Sequence, residues 1–208
     1  MTKKRIDFKL LEQHPLLIVI SGPSGVGKDA ILKELMTREL PLHFVITATS
    51  RKPRADEMNG EDYFFLSVEE FEGMIADGDF IEHALVYDQY KGIPRSQVIQ
   101  AFSSGLDVIL RVDVQGAVKL RELFPEALLI FVVPSNEEEW YHRLLTRKTE
   151  TPEQLHLRVI TAQEEIAQLG VFDYIVINAE DRLAEAVDVI IAIIEAEHHK
   201  IKPRKVSL

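Results

Sequence analysis

Short apolar runs bounded by turn residues alternate along this chain with amphipathic stretches of about helical period. The first run, Leu17 to Ile20, breaks into a glycine-rich turn ending at Lys28, and the amphipathic segment Asp29 to Leu40 follows. Branched apolar residues between turn signals predict a buried parallel strand, and the longer segment a helix. His43 to Thr47 reads as a second strand feeding a polar loop, Thr49 to Gly60, marked by Pro, Asn-Gly and mixed charge. Strands are predicted at Asp62 to Leu66 and Phe80 to Val86, with Ser67 and Glu70 forming a capping box that opens a short helix between them. Pro94 to Phe102 should be helical, and Asp107 to Asp113 a strand that ends in an acid. A helix near Ala117 to Leu123, a strand from Ala127 to Val133 and a helix opened by Ser135 and Glu138 continue the alternation. After a polar break at Lys148 to Pro152 comes a helix with Thr151 as cap, Pro152 first and Gln154 completing the box. Tyr174 to Ile177 predicts a strand, Leu183 to His198 a long helix, and Lys200 to Leu208 a frayed basic tail. Such alternation implies an α/β fold with a mostly parallel sheet covered on both faces and a ligand at the carboxyl ends of its strands.

The turn after the first strand fits G-x-x-x-x-G-K: Gly22, Pro23, Ser24, Gly25, Val26, Gly27 and Lys28. Strand before and helix after are the context a P-loop needs. Its glycines let the backbone bend round a polyphosphate, so amide groups and the helix N-terminus face the anion while Lys28 adds a point charge. The expected guest is a nucleoside triphosphate with Mg²⁺. One position departs, because Asp29 stands where a Ser or Thr usually offers its hydroxyl to the metal. Two readings stay open: a carboxylate ligand to magnesium, or an acid that only favours the helix dipole.

Composition narrows the class. The 208 residues, 46% hydrophobic and 28% charged, suit one globular α/β domain. A net charge of -10 without a long basic block argues against nucleic acid as a partner, so anionic substrates must be met by local clusters. With no cysteine, disulfides and thiolate metal sites are excluded. The apolar runs are too short to span a bilayer, and the basic start has no adequate apolar segment after it, so a cytoplasmic protein is expected.

The second substrate must be read from the inserted region. Arg51 and Arg54, three apart on a loop near Tyr63, are suited to gripping a phosphate, although such a pair also suits a solvent-facing loop. Glu82 is more informative: a carboxylate inside an apolar strand is costly to bury unless something donates to it. Taken with these, several further segments resemble the guanylate kinase family over about Leu16 to Glu195. The resemblance is carried by Ser21 to Lys28, Thr49 to Arg54, Asn59 to Phe65, Phe80 to Ala84, Asp113 to Gly116, the pattern from Arg143 to Arg158, and Asp173 to Asn178.

This resemblance implies a three-layer P-loop NTPase fold whose core is about 14–46, 94–139 and 164–199. It implies a GMP-binding subdomain at about 47–93 and a helical lid at about 140–163. The implied reaction is Mg²⁺-dependent transfer of a phosphoryl group from ATP to GMP, giving ADP and GDP, by a monomer or homodimer. Arg51, Arg54 and Tyr63 would hold the GMP phosphate, Glu82 the guanine edge, and Thr47 would take the place of a small hydroxyl residue of that site. Asp113 would act through Mg²⁺ and its waters or through the base, and Asn178 on the adenine side. Arg143, Arg147 and Arg158 look like lid arginines that neutralise the moving group. Arg143 and Arg147 would otherwise only pair with Glu137 to Glu139 along their own helix.

Three departures stand out. Lys91 and Ile93 flank Gly92 where the family usually has Tyr and a hydroxyl residue, so either Lys91 or Tyr90 would meet the phosphate. Arg111 stands where an acid is common, and Asp29 is the third. Gly27-Lys28-Asp29 also resembles the P-loop of ribose bisphosphate kinases, which lack much of the subdomain retained here. A non-catalytic guanylate-kinase-like module is the remaining alternative, and such modules typically have decayed P-loops.

Overall fold

A computed structural model describes residues 14–55, 57–86, 88–146 and 152–206. The chain begins with β1 (Leu17–Ser21), α1 (Lys28–Met36), β2 (Leu42–Phe44), β3 (Ala48–Thr49), β4 (Phe64–Phe65) and α2 (Val68–Ala76). It continues through β5 (Phe80–Val86), β6 (Gln89–Pro94), α3 (Arg95–Ser103), β7 (Asp107–Arg111), α4 (Val114–Leu123) and β8 (Leu128–Val133). It closes with α5 (Glu137–Thr146), α6 (Pro152–Ala167), a 3₁₀ turn at Leu169–Val171, β9 (Tyr174–Ile177) and α7 (Leu183–His198).

Five of these strands form a parallel sheet in the order β2-β7-β1-β8-β9, so β1 sits in the middle and delivers the P-loop to the centre of the carboxyl edge. Every residue of β1 is buried, as a strand covered on both faces requires. Because side chains alternate across a strand, Ile18 and Ile20 join Ile31, Leu35, Val132 and Ile190 beneath α1 and α7. Leu17 and Val19 join Leu110, Ala117, Leu120 and Leu129 beneath α4 on the other face. These two cores make the three layers.

A second sheet, ordered β4-β3-β6-β5, is antiparallel except between β3 and β4. Its small core stacks Phe71 on Phe80 at 4.4 Å between ring centroids and on Tyr90 at 5.1 Å. The Ser67 and Glu70 capping box is present at the start of α2.

Several expectations shift. The single strand expected at His43 to Thr47 is split: β2 ends at Phe44, and the chain crosses to the other sheet, where the Thr47 carbonyl accepts from the Phe64 amide at 2.9 Å. An apolar run carries no mark of such a change of partner. β6 was not foreseen, since Gly92 and Pro94 weaken a strand reading. Helix α1 stops at Met36 rather than Leu40. Asp113 lies past the end of β7 and caps α4, its Oδ1 accepting from the Gly116 amide at 2.9 Å. The α5 cap falls one residue later than expected: Asn136 accepts from the Glu139 amide at 2.9 Å, and Glu139 reaches back to Ser135. The tail is not frayed through Val206, because Arg204 binds Glu197 and the Ala127 carbonyl and Val206 packs against the core. The predicted Thr151 cap and the Gln154 side chain lie outside the described residues. Among the described residues, no helix is long and apolar enough to cross a membrane.

Candidate active site

The P-loop is shaped by the strand behind it. Gly22 has φ 141°, and a Cβ there would run into the Val132 carbonyl oxygen. Gly27, at φ 91°, lies against the Asn178 amide in the same way. No other residue fits either position, which is the physical content of the motif. Lys28 donates to the carbonyls of Gly22 and Pro23, the latter at 3.0 Å.

Distant residues brace this loop. The Asn178 Nδ2 donates to the Val26 carbonyl at 2.8 Å, and Trp140 Nε1 donates to the Ser24 carbonyl at 2.8 Å. Arg143 donates to the Asn178 carbonyl at 2.9 Å while pairing with Glu139 on its own helix. It therefore makes both the intrahelical pair and a contact with the loop. Arg158 Nη1 donates to the Ser24 hydroxyl. Arg147 lies outside the described residues.

A cavity over the P-loop is lined by Gly22, Ser24 to Asp29, Arg51, Arg54, Arg158 and Glu165. A neighbouring cavity is lined by Thr47, Glu82, Ile93 and Arg111, and the two share Lys28, Tyr63, Lys91 and Asp113 as a common wall. The second cavity sits where the two sheets meet. Glu82, on β5, is buried at 7% exposure and accepts from Lys119 Nζ at 3.1 Å. Burial raises its carboxyl pKa above the ordinary value, while the Lys119 hydrogen bond opposes the rise. That lysine is the donor a carboxylate in an apolar strand demanded.

The arginine loop is held by an acid the sequence reading passed over. Glu57 takes a bidentate fork from Arg51, with both bonds at 2.6 Å, and accepts from the Arg54 amide at 2.8 Å. Burial alone would raise the Glu57 carboxyl, but the Arg51 and Arg54 donors outweigh it and hold it below its ordinary value. Arg51 in turn lies 4.9 Å from the Tyr63 ring centroid. The spacing of Glu57 to Arg54, three apart on a polar loop, was the available signal.

Of the two candidates beside Gly92, Lys91 faces the shared wall, 3.6 Å from Asp113, whereas Tyr90 does not reach it. Tyr90 stacks on Phe71 and donates to Glu72 at 3.1 Å, because adjacent residues of β6 point to opposite faces. Ile93 is buried in the core as a wall of the cavity. Asp29 accepts from Arg111 at 2.7 Å and from the Tyr63 hydroxyl at 3.4 Å, and lies 3.5 Å from Arg54.

A further acid was also missed. Glu165 sits seven residues, two helical turns, after Arg158 and so on the same face of α6. It is buried, lines the P-loop cavity, and its Oε2 has no hydrogen-bond partner among the described residues. Burial pushes the Glu165 carboxyl up and the Lys28 ammonium down, and each charge partly restrains the shift of the other.

Comparison with known proteins agrees with this geometry. The guanylate kinase family model matches residues 14–197. A guanylate kinase 2 (chloroplastic/mitochondrial) of Oryza sativa subsp. japonica is 48% identical, covering 94% of this chain and 69% of its own length. A guanylate kinase of Caldanaerobacter subterraneus subsp. tengcongensis is 44% identical over 94% of each chain. The crystal structure of guanylate kinase from Anaplasma phagocytophilum matches with a TM-score of 0.71 at 28% identity, covering 92% of this chain and 90% of that one. Matched from before β1 to within α7, and with its P-loop set against a second cavity that ends in a buried carboxylate, the chain belongs to the guanylate kinase family.

Proposed function

We propose that this chain is a guanylate kinase that moves the γ-phosphoryl group of ATP to GMP, giving ADP and GDP. The observation that carries this reading is the shared wall: Lys28, Tyr63, Lys91 and Asp113 line both the P-loop cavity and the cavity holding Glu82. Two anionic guests seated there would meet at their phosphates. The P-loop amides and Lys28 would cradle the ATP polyphosphate. Arg54, Arg51, Tyr63 and Lys91 would grip the GMP phosphate, with Arg51 released in part from Glu57. Glu82 would accept from the guanine N–H groups, a donor pattern that adenine lacks, and Thr47 lines the same cavity.

Phosphoryl transfer asks mainly for in-line placement and neutralised charge. Arg158 and Arg143, already bonded to the P-loop or its brace, are placed to supply that charge from the lid helices, and Arg147 joins them by resemblance. Asn178 would act by fixing the loop beneath the nucleotide. The site also suits Mg²⁺ through Asp113, a hard oxygen donor lining the P-loop cavity. When bound, the ion would neutralise phosphate charge. In this reading the second sheet with α2 is the GMP-binding subdomain at about 47–93, and about 140–163 is the lid.

A coupled ADP-release assay across GMP, AMP, UMP and ribose bisphosphate tests the reading. GMP should be strongly preferred, and Glu82→Gln should lower kcat/KM for GMP by roughly 10–100-fold with little change in KM for ATP. Turnover of ribose bisphosphate in place of GMP would overturn it, and so would nucleotide binding without turnover of any acceptor.

A further inference from the structure

Two of the residues that depart from the family pattern, Asp29 and Arg111, are in contact. Arg111, at the end of β7, donates from Nη1 to Asp29 Oδ1 at 2.7 Å and from Nη2 to the Asp62 carbonyl at 2.8 Å. Its guanidinium carbon lies 4.1 Å from the centroid of the Tyr63 ring, and its side chain is only 9% exposed. A cation this enclosed needs a counter-charge, and Asp29 provides it. The P-loop pattern would place a neutral hydroxyl at 29, which leaves a buried arginine uncompensated. An acid at 111, where the family commonly has one, would leave Asp29 facing a like charge. The two departures therefore make sense only together.

The same carboxylate gathers the acceptor side. Its Oδ1 also takes the Tyr63 hydroxyl at 3.4 Å, and its Oδ2 lies 3.5 Å from Arg54. Through Asp29 and Arg111, the first turn of α1, the end of β7 and the loop before β4 are tied at one point. The loop leads into the second sheet and β7 lies in the first, so this contact links the two sheets. Magnesium would have to compete with a guanidinium for Oδ1, the oxygen whose geometry is best satisfied already.

We infer that Asp29 and Arg111 act as one positioning unit for the acceptor phosphate: Arg111 backs the Tyr63 ring, Asp29 orients Tyr63 and Arg54, and Asp29 is not a ligand of the nucleotide's divalent cation. This rests on the reading of GMP as the acceptor.

The test is calorimetric titration of the full chain with GMP in the absence of ATP and metal, alongside the magnesium dependence of turnover. Arg111→Met and Asp29→Asn should each weaken GMP binding by roughly tenfold or more. The double variant should be no weaker than the worse single one, because both changes break the same unit. The magnesium concentration for half-maximal turnover should move less than about twofold in Asp29→Asn. Multiplying effects would overturn the inference, as would a several-fold shift in magnesium dependence with GMP affinity intact. If Arg111→Met does not fold, Arg111→Lys keeps the charge beside Asp29 but loses the flat stack on Tyr63. Unchanged GMP affinity in both folded Arg111→Lys and Asp29→Asn also overturns the unit. A wild-type chain that binds no GMP would instead overturn the acceptor assignment on which the unit depends.

Discussion

The two cavities are made in different ways. The P-loop cradle is seven consecutive residues whose backbone does the binding, fixed from behind by the Val132 carbonyl, the Asn178 amide and Trp140. The acceptor side is built from side chains of separate segments, each held by another side chain: Arg51 by Glu57, Glu82 by Lys119, and Arg111 by Asp29. A backbone cradle depends on conformation, so single glycines control it. A side-chain cradle depends on charge balance, and its members change only in pairs without cost.

The largest expected effect tests that division at Lys28, the P-loop charge that both cavities share. Lys28→Met should lower kcat by roughly 10²–10³-fold, the scale for removing one preorganised donor to developing charge. Because Lys28 is half-buried and desolvation already disfavours its ammonium there, the melting temperature should not fall. GMP affinity without ATP should fall by only a few-fold, since Arg51, Arg54 and Lys91 remain around the same cavity to hold the acceptor phosphate. An equal loss of GMP affinity, measured by calorimetry, would mean that the two regions are not separable.

The same division explains what could be read from the chain alone. The P-loop was legible because its requirement is local, with β1, six loop residues and α1 in immediate succession. The capping box of α2 and the full span of α7 were legible for that reason too. Lys119 and Glu165 were not, since nothing near them in sequence says which group they will face, and Glu57 carried only its spacing from Arg54. The change of sheet after Phe44 and the pairing of β6 with β3 and β5 are likewise tertiary choices. Arg111 was noticed as a departure, and Asp29 as another, but 82 positions separate them and only the fold shows them as a pair.

A smaller effect comes from a region that touches neither cavity. Glu197 on α7 accepts from Arg204 and from the Tyr174 hydroxyl, both at 2.7 Å, and pairs with Lys200 at 2.8 Å. Burial by itself would raise its carboxyl, but these donors outweigh burial and hold it at about 2 against an ordinary 4.5. A depressed carboxylate contributes stability above its unfolded value, and that contribution is lost as pH falls from about 4.5 toward 2. Arg204→Met should cost about 2 kcal/mol, less than full exposure of a buried charge because Lys200 and Tyr174 remain. Acid unfolding should begin at higher pH, read by circular dichroism. KM for ATP and for GMP should both stay put, which makes this variant the baseline for the other two. A change in either KM would show that stability alone moves the cavities.

The smallest effect is a shift in pH dependence, and it asks whether the P-loop cradle is as self-contained as its backbone suggests. Glu165 reaches it from α6, far along the chain, and its charge supports the protonated form of Lys28 against the cost of burial. Asp29 and Asp113 act in the same direction, while Lys91 opposes them. Glu165→Gln removes one supporting charge and leaves the other two. The Lys28 pKa, already lowered by burial, should therefore fall further, and the alkaline limb of kcat/KM for ATP should move to lower pH. The movement should be a fraction of a pH unit, since Lys28 is only half-buried and charge interactions with such a group are screened. Stability at neutral pH should not suffer, because an amide avoids the desolvation that raises the carboxyl. Should the alkaline limb stay fixed, the lid acid would play no part in the charge of the P-loop lysine. Movement to lower pH would mean that even the backbone-built cradle takes its working charge from a side chain the motif does not contain.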